Sequence, residues 1–212
     1  MTTFIVDLWS RVFHLLRWVS LFEPVRRIFP GLKSYGAVDV WVICNFALAI
    51  LAAATAPFVT CFWGKIFLVG YGLLRVFEIA IYQINVLLFD EYRAQKVGER
   101  YALRGYRRLV VLLLQNYTEI VFWFAAIYVA LNPYLDFKLQ GTASTFIGGV
   151  YSSFIVMTTF GEPNMVPKNL WTVGLILYQS VIGLFMTLVS LARFIALIPT
   201  PDSSDKFESD IQ

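Results

Sequence analysis

The chain has 212 residues, of which 58% are hydrophobic and only 15% are charged, whereas an ordinary soluble domain has roughly 25% charged residues. This composition excludes a soluble domain, whose surface needs polar side chains, and it excludes disorder for most of the chain. The net charge of +3 is too small to indicate a nucleic-acid partner. Lipid is therefore the expected surrounding of most of the protein.

Residues 4–22 have the pattern of an amphipathic helix. Apolar residues recur on one face at helical spacing, and the other face is polar (Asp7, Ser10, Arg11, His14 and Arg17). A helix of this kind lies in the membrane interface. We therefore predict an interfacial N-terminal segment over residues 1–36, which anchors the N-terminus or, alternatively, couples the membrane plane to the rest of the protein.

Apolar segments long enough to cross a bilayer, which takes about 20 residues, occur at residues 38–58, 66–89, 109–131 and 170–198. Residues 142–159 are also apolar, but they include Gly148 and Gly149 and are flanked by Gly141 and Gly161. Their length suits a re-entrant half-helix. The sequence thus predicts an all-α membrane protein with four transmembrane helices and a re-entrant half-helix between the third and fourth.

Most of the 17 Lys and Arg residues lie in the N-terminal segment, in the loop at residues 90–108, and near the C-terminus. This placement predicts that these regions, and therefore both termini of a multi-pass protein, are cytoplasmic. The loop at 90–108 is also amphipathic, so it is a candidate for binding anionic lipids, although the placement of positive charge alone accounts for it. Residues 199–212 are polar and acidic and are predicted to be a disordered tail.

Two charged residues lie in the middle of the second apolar segment. Arg75 and Glu78 are three residues apart and share a helix face. A lone arginine at the bilayer centre costs about 2.5–3.5 kcal/mol on insertion scales. We therefore predict a buried ion pair within residues 37–110, which form two peripheral helices and the basic loop, with Glu119 among the further polar partners. The alternative is a gating or ligand-sensing site.

A short motif carries the main functional signal. Residues 151–167 read YSSFIVMTTFGEPNMVP, and Gly183 lies 22 residues after Gly161 in the long last helix. This region resembles the pore loop of the tetrameric cation channels, the superfamily of potassium and cyclic-nucleotide-gated channels. The resemblance covers residues 111–198 as a pore module of outer helix, pore loop and inner helix. It implies a homotetramer with Gly183 as the hinge of the inner helix.

The motif also departs from the potassium-selective pattern, T-T-V-G-Y-G-D. Here Glu162, Pro163 and Asn164 follow Gly161, and proline cannot adopt the positive φ that glycine allows. The motif is closer to the T-T-I-G-E pattern of cyclic-nucleotide-gated channels. The resemblance therefore implies poorly selective flux of monovalent cations with divalent permeation or block, through a filter made of Thr158, Thr159, Phe160, Gly161 and Glu162.

Elementary electrostatics agrees with this comparison. Four copies would place a ring of Glu162 carboxylates at the outer mouth, where they would attract cations and hold one transiently. No bound cofactor is expected, and the candidates for lining the path below are Ser180, Thr187 and Ser190. The alternatives are a potassium-selective channel with an atypical filter and a non-conducting membrane scaffold or sensor. We expect no enzyme, because the spans contain no catalytic Ser/His or Asp pair.

Overall fold

The computed structural model describes residues 4–16, 35–98, 106–139, 141 and 145–197. Their helices are α1 (Phe4–Leu16), α2 (Tyr35–Thr55), α3 (Phe62–Ile84), α4 (Asp90–Val97), α5 (Tyr106–Ala130), α6 (Phe146–Thr158) and α7 (Leu170–Leu197). Two strands, β1 (Leu135–Phe137) and β2 (Met165–Pro167), lie between these helices. The protein is thus mostly helical, as predicted.

Three helical stretches in the described part are long and apolar enough to cross a membrane: Val38–Phe58, Arg107–Ala130 and Leu170–Ala192. They correspond to the first, third and fourth predicted spans, and they make this a membrane protein. The helix predicted as the second span, α3, has 23 residues and is not among the three. Its apolar run is interrupted by Arg75 and Glu78.

The helical path continues beyond the predicted second span. At Asn85–Phe89 the backbone passes through one π-helical turn and then continues as α4. The prediction of a loop from residue 90 is therefore wrong for residues 90–97. No proline or glycine interrupts this stretch before Gly98, whose left-handed φ of 77° ends the helix. Residues 106–108 of the predicted loop also belong to a helix, α5, whereas residues 99–105 and the predicted tail, residues 199–212, lie outside the described residues.

Helix α5 is the centre of the bundle. Helices α2, α3, α6 and α7 all pack against it, and its large side chains Trp123, Phe124, Ile127 and Tyr128 are fully buried. Alanines between these residues leave room for close helix contacts, as Ala125 does where its carbonyl meets Gly149 of α6. The same helix therefore holds the candidate pore loop on one side and the peripheral helices on the other.

The two strands close the chain into a loop. Strand β1 pairs antiparallel with β2, with Asp136 opposite Val166, and the Lys138 amide donates to the Asn164 carbonyl at 2.8 Å. The segment between them, which contains α6, therefore begins and ends at the same place. Strands of three residues are too short to produce an alternating pattern, so the sequence did not predict them.

Helix α1 docks on the α3–α4 junction through its polar face. The Arg93 guanidinium of α4 donates to the Ser10 carbonyl at 2.9 Å and to Asn85 Oδ1 at 2.7 Å. Asp7 Oδ1 lies 2.6 Å from Lys96 Nζ, and the hydrogen bonds from Lys96 and Tyr92 lower the pKa of Asp7. The apolar face of α1 stays exposed (Phe4, Ile5, Leu8, Trp9 and Leu15). Residues 17–22, the remainder of the predicted helix, lie outside the described residues.

Candidate functional site

The short helix α6 carries the predicted motif at its C-terminal end. Thr145 caps its start, where its Oγ1 accepts a hydrogen bond from the Gly148 amide at 3.1 Å. With 13 residues, α6 is about 20 Å long, which is less than the roughly 30 Å of a hydrocarbon core. The backbone then turns through left-handed conformations at Thr159 (φ 55°) and Gly161 (φ 116°).

The C-terminal end of α6 lies against the midpoint of α7. Gly183 stands halfway along α7, and a Cβ atom at this position would overlap the carbonyl oxygen of Met157. Because the flanks of the α6 segment meet at the β1–β2 sheet, the helix extends from the sheet end of the bundle to its middle. Glycine at 183 therefore has a packing role in addition to the hinge role that the resemblance implies.

A buried polar network holds α6 between α5 and α7. Ser153 Oγ donates to the Val121 carbonyl at 2.8 Å. Gln179 of α7 donates to Ser153 Oγ at 2.8 Å and accepts a hydrogen bond from the Tyr128 hydroxyl at 2.5 Å. These residues share no local motif in the sequence. Gln179, as a lone amide in an apolar helix, was the available signal, since a polar group at that depth needs a partner.

Asn164 fixes the return of the chain to the sheet. This side chain is buried, and its Oδ1 accepts a hydrogen bond from the Leu139 amide at 3.0 Å. Its Nδ2 lies 3.5 Å from Ser152 Oγ on α6. The backbone is thus held in place on both sides of Glu162, by the contact of Met157 before it and by the hydrogen bonds of Asn164 after it.

The predicted filter residues form an exposed surface in a single chain. Thr159, Phe160, Gly161 and Glu162 are all exposed, and the Phe160 side chain is 86% accessible. The threonine hydroxyls donate to nearby backbone, Thr158 to the Phe154 carbonyl at 2.8 Å and Thr159 to the Thr158 carbonyl at 2.6 Å. These residues therefore form one continuous segment, and no other described part of the chain buries it.

Glu162 is paired with a lysine from the opposite side of the loop. Its carboxylate accepts a hydrogen bond from the Lys138 ammonium, and this contact lowers the pKa of Glu162. A second ion pair, Lys168–Asp136 at 2.6 Å, lies at the same sheet. The Glu162 carboxylate is therefore ionised at neutral pH and already has a cation beside it.

The polar residues proposed to line the path on α7 lie in different settings. Ser180 and Ser190 donate to the Ile176 and Met186 carbonyls of their own helix at 2.9 and 2.5 Å. Thr187 and Ser190 border a cleft of about 330 Å³ between α5 and α7 that is otherwise mostly apolar (Leu109, Val110, Leu113, Leu114, Tyr117 and Leu191). Their pore-lining role stays a prediction.

The two charged residues in the middle of α3, Arg75 and Glu78, form a buried triad with Glu119. Arg75 Nη1 lies 2.6 Å from Glu78 Oε2, and Arg75 Nε lies 2.7 Å from Glu119 Oε1 of α5. Glu119 is fully buried and also accepts a hydrogen bond from the Trp123 indole at 3.3 Å. The triad therefore joins α3 to α5, far along the chain from the loop motif.

No protein-family model matches this chain, and neither a curated protein nor a solved structure matches it.

Proposed function

We propose that four copies of this chain assemble into a cation channel of the pore-loop type. Each chain contributes four spans, α2, α3, α5 and α7, with α6 re-entering the bilayer between the last two. The pore passes monovalent cations down their gradient with poor selectivity, and divalent cations permeate or block it at Glu162. Both termini are cytoplasmic, in line with the placement of Lys and Arg.

The observation that carries this proposal is the exposed backbone that follows a half-length helix. Helix α6 extends from the β1–β2 sheet to the midpoint of α7, and the residues after it, Thr159–Glu162, are exposed. Irregular backbone at membrane depth is tolerated only where protein buries it or where it lines a water-filled cavity. Copies arranged about an axis beside this loop would supply such a cavity.

The direction of α6 supports a cation as the occupant. A helix carries partial negative charge at its C-terminus, from carbonyl groups that lack intrahelical partners. The C-terminus of α6 lies next to the exposed loop, so four such helices would direct this partial charge at the axis. Cations are favoured there and anions are not.

The ion pairs of α3 support its assignment as a span. With 23 residues, α3 is about 35 Å long, which is enough to cross the hydrocarbon. Its charged residues in the middle, Arg75 and Glu78, are buried against α5 and paired. Polar groups that face the inside of a bundle in this way are compatible with a membrane span.

The first test is the reversal potential of the purified protein in planar bilayers, with potassium on one side and sodium on the other. We expect a value near zero and inhibition by external calcium. In Glu162→Gln the calcium concentration needed for half-inhibition should rise about tenfold or more, because the Glu162 carboxylates are the proposed calcium ligands. Asp136→Asn is the matched control, because it removes an equal charge and also leaves a lysine unpaired at the same sheet, and its calcium sensitivity should stay at the wild-type value.

Acidification tests the same carboxylate. Because Lys138 lowers the pKa of Glu162, calcium sensitivity should persist at pH values below the usual carboxylate pKa and disappear as the pH falls through the lowered pKa.

Equal calcium sensitivity in Glu162→Gln and wild type would exclude the acidic ring. A reversal potential at the potassium equilibrium value would favour the potassium-selective alternative. Absence of flux from a protein that stays monomeric or dimeric in lipid would favour the scaffold.

A further inference from the structure

We propose that Lys138 sets the divalent-cation affinity of the Glu162 site, because its ammonium group is a tethered competitor that occupies each carboxylate until a cation displaces it. This inference rests on the proposed channel and identifies a second residue that determines its selectivity. It makes the outer site a paired carboxylate and ammonium in each chain rather than a bare acidic ring.

The pairing is built into the backbone. The Lys138 amide donates to the Asn164 carbonyl at 2.8 Å, and the Leu139 amide donates to Asn164 Oδ1 at 3.0 Å. Strand β1 ends at Phe137, one residue before Lys138, and is paired with β2. Asn164 therefore fixes the backbone at Lys138 directly and the backbone at Glu162 from two residues away. This holds the two side chains on neighbouring segments, where their charged groups can meet.

The charge balance at this end of the molecule makes the pairing consequential. Between residues 131 and 169 the charged residues are Asp136, Lys138, Glu162 and Lys168, and the structure joins them in two pairs. Four copies with Lys138 in place have no net charge at the Glu162 ring. Without that ammonium the ring would carry one full negative charge for each chain.

The weakness of the pair favours competition over permanent blockage. Both side chains are substantially exposed, at 42% for Lys138 and 81% for Glu162, and exposed pairs of this kind contribute little stability. A divalent cation that bridges two or more carboxylates gains more attraction from each than an ammonium does. It therefore displaces the lysines, while monovalent cations compete with them on nearly equal terms.

Isothermal titration calorimetry of calcium binding to the full-length protein in lipid nanodiscs tests the inference without requiring ion flux. Lys138→Gln should bind calcium about 2- to 5-fold more tightly than wild type. Lys138→Arg keeps the charge and should bind calcium as wild type does. Adding Glu162→Gln to Lys138→Gln should abolish the gain.

The matched control removes the neighbouring ion pair. In the double variant Asp136→Asn with Lys168→Gln, both members of that pair are neutralised at the same sheet, and calcium affinity should stay unchanged. Wild-type affinity in Lys138→Gln, or an equal gain in the control, would overturn the inference. A gain specific to Lys138→Gln in a protein that is not tetrameric and passes no ions would support the competition at Glu162 and overturn the proposed pore.

Discussion

At the scale of single residues, two glycines determine how closely the helices approach. A Cβ atom on Gly183 would overlap the Met157 carbonyl oxygen, and one on Gly149 would lie 2.9 Å from the Ala125 carbonyl oxygen. Both obstacles are backbone atoms of packed helices, which cannot rotate away as a side chain can. These two contacts limit how closely α6 can approach α5 and α7.

Gly183→Ala should destabilise the protein by about 1–3 kcal/mol, because an added methyl group in a tight contact forces a backbone shift. Gly174→Ala is the matched control on the same helix, since nothing lies within 4 Å of the Cβ position there. There we expect a gain of up to about 1 kcal/mol, because alanine favours helix. Thermal unfolding in one detergent compares the two, and equal midpoints would show that the Met157 contact does not limit packing.

At the scale of elements, the triad of Arg75, Glu78 and Glu119 joins α3 to α5. Its members are at most 5% exposed, so the attraction between them is little screened by water. Breaking a buried pair by removing one partner leaves an uncompensated charge, which costs more than the pair itself contributes.

Arg75→Met should therefore lower the free energy of unfolding by about 3–5 kcal/mol. The control is Arg108→Met, which removes the 2.5 Å contact with Asp39 in a partly exposed pair and should cost at most about 1 kcal/mol. Chemical unfolding in mixed micelles measures both. Adding Glu78→Gln and Glu119→Gln to Arg75→Met should recover part of the loss, and failure to recover would show that the methionine is misplaced for steric reasons.

Element boundaries could be predicted only where a residue interrupts the backbone pattern. Pro57 and Pro133 follow the ends of α2 and α5, and the apolar runs predicted the long helices within a few residues. The continuation through Asn85–Phe89 into α4 contains no proline or glycine before Gly98, so no residue of this kind marks a boundary there. Glu119 was recognised as a polar partner, but its two contacts with Arg75 depend on the packing of α3 on α5.

At the scale of the whole molecule, α7 has a second face that the chain itself does not cover. Six aliphatic side chains on this face are 56–61% exposed and recur at alternating spacings of four and three residues (Leu177, Val181, Leu184, Leu188, Leu191 and Ile195). This spacing matches the seam of left-handed helix packing between neighbouring helices. In the proposed tetramer, we expect this seam to meet the α7 helices of adjacent copies.

Native mass spectrometry of the protein released from nanodiscs should therefore show a tetramer. Replacing Leu184 and Leu188 together by tryptophan should shift the population to smaller species, because the larger rings do not fit a close helix seam. Val111→Trp is the control, since Val111 of α5 is 60% exposed and lies off the seam. A monomer for the wild-type protein, or an equal shift in the control, would contradict assembly through α7.

The sequence located the candidate site but not its surroundings. Thr158–Glu162 were identified because their order and spacing form a contiguous motif, and the short helix before them was visible as an apolar segment between glycines. The contacts of Lys138, Ser153 and Gln179 join segments that are 24 to 32 residues apart. Such pairings depend on three-dimensional packing, and no local sequence pattern predicts them.

The contact between Gly183 and Met157 has a mechanical consequence. Met157 lies two residues before Thr159. A bend of α7 at Gly183 would therefore move the backbone against which Met157 packs, just before the exposed residues 159–162. Packed interfaces move between discrete arrangements rather than stretching continuously. In the proposed channel, displacement of the C-terminal half of α7 would therefore be transmitted to residues 159–162 as a discrete step, so the two ends of the pore would open and close together rather than independently.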